Sequence, residues 1–133
     1  MKKILLVLLV FCSYISAEVI NAYPDQKLLD SGITIIDIRT QAEWQESGLI
    51  KGAIPITFWY ADGSYNLALF MKKLQEHVKK GEKFALVCHV GSRTAEVSAF
   101  LSQEYNMNVV NLLGGMEYLK KNGYKTIKYT PQP

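Results

Sequence analysis

Cys88 stands at a place where a thiol can be made to react. It closes the apolar run Phe84-Ala85-Leu86-Val87 and is followed by His89-Val90-Gly91-Ser92-Arg93. The run reads as a buried strand and the stretch from Arg93 to Tyr105 as a helix, so the thiol falls in the short loop between them. A helix start offers backbone N–H groups with no intrahelical acceptor and the positive end of the helix dipole. Both favour an anion, and for a thiol the anion is the nucleophilic form. Gly91 lets the backbone curl without a Cβ in the way. Arg93, five residues beyond the thiol, can swing its guanidinium toward the same spot. The pattern predicts a cradle with a nucleophile at its centre, able to attack an electrophilic sulfur and then hold the charged persulfide that results. The plainer reading of a cysteine at a strand end is a small core residue. Arg93, however, is a cation at the end of a helix that disfavours cations, and that placement implies a local task, such as holding an anion or an acidic partner.

The elements that must position this loop follow from the rest of the chain. Pro24 to Gly32 reads as a short helix with Pro near its first turn and Gly past its last. Ile33-Thr34-Ile35-Ile36-Asp37 reads as a buried strand. Thr40-Gln41-Ala42-Glu43 is a capping box opening a short helix to Ser47 and Gly48. Residues 53–57 read as a strand that Pro55 confines to an edge or an end. Leu67, Phe70, Met71, Leu74 and Val78 fall at helical spacing, predicting a helix over 67–80 stopped by Gly81. Asn108 to Leu112 reads as a further strand, Gly114-Gly115 opens a last helix ending at Gly123, and the tail from Thr130 is expected to be loose. Strands alternating with helices imply an α/β fold with a parallel sheet covered on both faces, where ligands sit at the carboxyl ends of strands. Cys88 is at one such end. Asp37 and Arg39 read as structural, Glu43 is available both to the capping box and to Arg93, and His89 is placed to tune the thiol or steer substrate. Trp59 and Tyr60 read as core residues rather than pocket walls. Two histidines, His77 and His89, and one distant cysteine make no metal pattern.

At 133 residues the chain has room for one domain. Met1-Lys2-Lys3, the apolar run Ile4 to Cys12 and the segment Ser13 to Ala17 have the form of a secretory signal peptide cut after Ala17. The run is short for a bilayer span, and Phe11 before Cys12 disfavours lipid attachment. The expectation is therefore a signal peptide over 1–17, a domain over 18–133 and a periplasmic or secreted protein with no stable membrane association after cleavage. Losing Lys2 and Lys3 takes the 15 basic side chains to 13, against 12 acidic ones. A near-neutral chain offers no footprint for nucleic acid and no polybasic membrane patch. Cys12 leaves with the leader, so Cys88 is alone and no internal disulfide can form. An unpaired thiol in an oxidising compartment asks for a functional explanation.

Cys88-x-x-Gly91-x-Arg93-Thr94 resembles the active-site loop of rhodanese domains, and four further segments resemble the family in the same order. These are Asp37-Ile38-Arg39, Glu43-Trp44, the stretch Gly48 to Pro55 with Leu49 in place of the usual His, and Leu113-Gly114-Gly115-Met116. The resemblance covers nearly the whole chain after the leader. It implies a rhodanese-like three-layer α/β fold with a central, mainly parallel sheet flanked by helices on both faces. It also implies a sulfurtransferase that moves a sulfane sulfur from thiosulfate or polysulfide to a thiol or cyanide acceptor through a Cys88 persulfide, with no metal or organic cofactor; a monomer is expected. By the same resemblance Cys88 and Arg93 are the catalytic residues and His89, Val90, Gly91 and Ser92 bind substrate through their backbone, with Arg93 bracing the loop by pairing with Glu43 or Asp37. His89-Val90 leaves the loop poorer in cations than family members with extra basic residues there, which weakens thiosulfate as the natural donor. A phosphatase or arsenate reductase resembles a Cys-x5-Arg pattern, one residue longer than the spacing here. A redox-sensing or sulfur-binding module that never turns over sulfur stays open.

Overall fold

A computed structural model describes residues 16–131, so the expected leader lies outside the described residues except for Ser16 and Ala17. Five strands, β1 (Val19–Ala22), β2 (Thr34–Asp37), β3 (Ile54–Pro55), β4 (Phe84–Val87) and β5 (Val109–Leu112), form one sheet in the order β1-β5-β4-β2-β3. Every ladder is parallel. The helices are α1 (Gln26–Leu29), α2 (Gln41–Ser47), α3 (Leu67–His77), α4 (Ser92–Tyr105) and α5 (Gly115–Lys121).

The alternation of side chains along the strands sorts the helices into two layers. Phe84, Leu86 and Cys88 share one cluster with Phe70, Met71 and Leu74 of α3 and with Val97 and Leu101 of α4. Ala85 and Val87 join Val110 and Leu112 on the opposite face, under Met116 and Leu119 of α5 and against Leu28 and Leu29 of α1. β4, the central strand, is buried on both faces, which is why its sequence is an unbroken apolar run. Phe84, Leu86 and Val87 each contribute about 1.5–3 kcal/mol by leaving water. The three-layer α/β architecture is the one expected.

The structure departs from the sequence reading in three places. β1 was not anticipated: Val19-Ile20-Asn21-Ala22 has no pattern of its own and becomes a strand by pairing with β5, Val19 opposite Val109 and Ala22 opposite Leu112. α3 ends at His77 rather than near residue 80. Val78 takes an extended conformation and turns a buried side chain into the core, and Gly81, with φ +79°, belongs to the following turn, which Glu82 closes by accepting the Lys79 N–H at 2.8 Å. β3 is only two residues long, and Pro55 sits on the sheet edge where its missing N–H costs nothing.

Candidate active site

The loop after β4 turns at Gly91, whose φ of +95° is open to glycine and costly for other residues. Its N–H donates to Cys88 Sγ at 3.2 Å, and Thr94 Oγ1 lies 3.5 Å from the same sulfur. α4 begins at Ser92 with no side-chain cap. Among the described residues, the amides of His89, Val90, Ser92, Arg93 and Thr94 find no protein acceptor. With the Gly91 N–H on the sulfur and these donors unpaired in the same loop and helix start, the loop makes a place for negative charge. Of the amides expected to aim at the sulfur, that of Gly91 does so at hydrogen-bonding distance in this structure.

The carbonyls of the same loop are held by α5. Met116 N–H donates to Cys88 O at 2.9 Å and Glu117 N–H to His89 O at 3.0 Å. This contact requires Gly115: a Cβ there would collide with the carbonyl oxygens of Cys88 and His89. A Cβ on Gly91 would in turn lie 2.9 Å from Gly114 N. The Gly114-Gly115 segment is therefore the clamp that fixes the loop's outer shape, a function its sequence resemblance alone did not explain.

Cys88 itself is fully buried and belongs to the cluster that holds Ile38, Phe58, Leu86 and Val97. The sulfur has an apolar floor and a polar roof. His89 and Ser92 are exposed, Val90 is 50% exposed, and Gly91 is buried. His89 Nε2 stands 3.7 Å from Glu117 Oε2, and Glu117 is also paired with Lys121 at 2.9 Å. The Lys121 hydrogen bond holds the Glu117 carboxyl below its usual range.

Arg93 Nη1 and Nη2 donate to the two oxygens of Glu43 at 2.9 and 2.6 Å. Glu43 keeps its capping role as well, accepting from Thr40 N–H at 2.9 Å while Thr40 Oγ1 accepts the Glu43 N–H. The two uses weighed from the sequence thus coexist. Burial would raise the Glu43 pKa, but the bonds from Arg93 and Thr40 outweigh it and bring the value down to about 2. The Arg93 pKa is raised, first by the Glu43 hydrogen bond and, against desolvation, by the nearby acidic groups of which Glu43 counts most. Asp37 is not the partner of Arg93. It is fully buried and accepts from Arg39 Nε at 2.9 Å, Arg39 Nη2 at 2.7 Å and Trp44 Nε1 at 3.1 Å. Arg39 also reaches Ser47 Oγ and Gly48 O. This buried knot ties α2 to β2 and so fixes the helix that presents Glu43.

Trp59 packs edge-on against Phe58, and Tyr60 lines an open groove of about 800 Å³ with Thr40, Trp44, Lys73 and Tyr129. Neither Cys88 nor its loop lines that groove. Among the described residues no group of three or more His, Cys, Asp or Glu side chains is placed to hold a metal ion.

The site is thus a cysteine between a central parallel strand and an uncapped helix, with a glycine clamp behind it. The model of the rhodanese-like domain fits residues 20–122. The chain belongs to the rhodanese-like family. The same fold occurs in a protein from Staphylococcus saprophyticus, 28% identical, with a TM-score of 0.54 over 73% of this chain and 86% of that one. A rhodanese-like domain protein from Staphylococcus aureus is 25% identical, with a TM-score of 0.54 over 76% and 88%. A protein from M. tuberculosis, 19% identical with a TM-score of 0.60 over 75% and 80%, shares the fold. No curated protein matches the sequence. The rhodanese-like match stops before the tail, where Leu49 and Ile127 exchange a reciprocal pair of backbone hydrogen bonds at 2.9 Å and Tyr129 packs on Trp44. Leu49 is buried at that junction.

Proposed function

We propose that this rhodanese-like protein is an exported sulfurtransferase in which Cys88 carries a sulfane sulfur as a persulfide. The Cys88 thiolate attacks the outer sulfur of a donor. A new S–S bond forms to Sγ, the donor's own bond to that sulfur breaks, and its electron pair leaves as sulfite from thiosulfate or as a shortened chain from polysulfide. A thiol or cyanide then removes the outer sulfur and returns the thiolate. The observation that carries this reading is the Gly91 N–H directed at Sγ from a loop whose neighbouring amides are unpaired. Such donors serve an anion on either sulfur without a metal or organic cofactor. His89, Val90, Gly91 and Ser92 line the loop that meets the donor, and Arg93, its charge matched by Glu43, braces it. With His89 facing Glu117, the loop supplies no uncompensated cation for a dianion, which weakens thiosulfate as the natural donor.

Export rests on the lysine-led apolar leader ending at Ala17. Cutting there leaves Glu18 immediately before β1, where its carbonyl accepts the Val109 N–H at 3.1 Å. The test is direct. Incubated with polysulfide or thiosulfate and weighed intact, the protein should gain one sulfur atom and Cys88→Ser none, and cyanide should release the sulfur as thiocyanate. A wild-type protein that gains no sulfur from any donor refutes turnover and leaves the redox-sensing or sulfur-binding module as the reading.

A further inference from the structure

Thr94, fully buried in the first turn of α4, has two contacts that bear on the reacting atom. Its Oγ1 lies 3.1 Å from Gly91 O and 3.5 Å from Cys88 Sγ. A hydroxyl has one hydrogen to give. With Cys88 protonated, the hydrogens run in series, S–H to Oγ1 and O–H to Gly91 O. Once that proton is lost the sulfur can only accept, and the contact is favourable only if the hydroxyl turns its hydrogen to the anion. The turn strands no acceptor, because Gly91 O also receives the Ala95 N–H at 3.2 Å. A neutral hydrogen bond is exchanged for a charge-assisted one in a site without water competition.

We propose that Thr94 is a further catalytic residue of this site, its hydroxyl turning from the Gly91 carbonyl to Sγ whenever Cys88 is a thiolate. Within the sulfurtransferase reading, on which its catalytic consequence rests, this hydroxyl serves the unloading step. A thiolate acceptor attacks the outer sulfur of Cys88–S–SH; the bond between the acceptor and that sulfur forms, the bond to Sγ breaks, and the electron pair stays on Sγ. Thr94 donates to that departing charge. In the persulfide Sγ is uncharged and the hydroxyl returns to Gly91 O, so the contact favours the unloaded state and speeds release.

The test compares wild type, Thr94→Val and Thr94→Ser in the full chain, following thiolate absorbance against pH with the matching Cys88→Ser chain as the blank. The charged groups around the sulfur, Arg93 with Glu43, Asp37 with Arg39, and His89 with Glu117, are common to all three. In Thr94→Val the thiolate should appear about one to two pH units later, and unloading to a thiol should slow about tenfold to a hundredfold. Thr94→Ser should restore both. If Thr94→Val does not fold, Thr94→Ala, which also lacks the hydroxyl, carries the same expectation. A valine or alanine profile that overlays wild type, or a serine variant that behaves like valine, overturns the proposal. The absorbance titration needs no sulfur donor, so failure of wild type to load sulfur sinks the function and leaves the hydroxyl's hold on the anion separately decided.

Discussion

Replacing Glu43 with Gln tests whether a charge pair, rather than packing alone, sets the loop. Gln keeps the shape and can still accept from Thr40, but it removes the anion between Arg93 and the start of α2. In wild type the Glu43 pKa falls from 4.5 to about 2. At about 1.4 kcal/mol per tenfold change in proton affinity, that drop would be worth about 3 kcal/mol in a dry site. The side chains of Arg93 and Glu43 are 28% and 25% exposed, so solvent screens the pair, and about 1–2 kcal/mol is the better expectation. Because the folded-state value is depressed, this stability is present above 4.5 and is lost as pH falls through about 2. Urea unfolding followed by Trp fluorescence should therefore show Glu43→Gln less stable than wild type by that amount at neutral pH. The two should converge as the solution is acidified through the same window. Persulfide formation, read by intact mass, should slow in the variant as the loop loses its brace. A stability difference that does not change with pH, or no difference at neutral pH, would refute the account of Glu43 as the ionised counterpart of Arg93.

Three other outcomes follow from the same geometry. Arg39→Met should cost about 3–5 kcal/mol in chemical denaturation, because it leaves the Asp37 carboxylate buried without its cation; a cost below about 1 kcal/mol would show that the knot contributes little. Gly115→Ala should destabilise by at least about 2 kcal/mol, from a positive φ combined with a Cβ that meets the Cys88 and His89 carbonyls, and sulfur loading should fall with it; an unchanged melting temperature would remove the clamp. Cys88→Ser should fold as wild type does and take up no sulfur, as judged by circular dichroism and intact mass.

What the sequence made legible was local. The capping box at Thr40 and Glu43 needs only neighbours three residues apart, and the strand-loop-helix around Cys88 announces itself through an apolar run, a glycine and an amphipathic stretch. The rest depended on partners far along the chain. β1 is a strand because β5 lies beside it. α3 stops at His77, and Val78 enters the core from an extended backbone that its sequence spacing does not announce. That Glu43 serves both Thr40 and Arg93 is a contact across 50 residues, and the need for glycine at 115 appears only once the carbonyls of residues 88 and 89 are seen against it. The loop's amides read from the sequence as a set of donors, but that the Gly91 N–H reaches the sulfur at 3.2 Å is a distance no spacing encodes.

Two helix starts meet at this site, and their combination decides what kind of anion it suits. The Glu43 carboxylate completes the N-terminus of α2, where negative charge is favourable, and the same carboxylate neutralises Arg93, which stands where a cation is unfavourable, at the N-terminus of α4. Had Arg93 been unpaired, its positive charge would dominate the field at the sulfur and reward the most highly charged donor. With that charge matched, what remains beside Sγ is the partial charge of the helix start and the free amides, about half an elementary charge spread over several donors. Such a field suits one negative charge on a sulfur atom better than two on an oxyanion. On that ground an organic polysulfide, uncharged along its sulfur chain, should load Cys88 faster than the thiosulfate dianion at equal concentration, and Glu43→Gln, which frees the Arg93 charge, should narrow the gap between them.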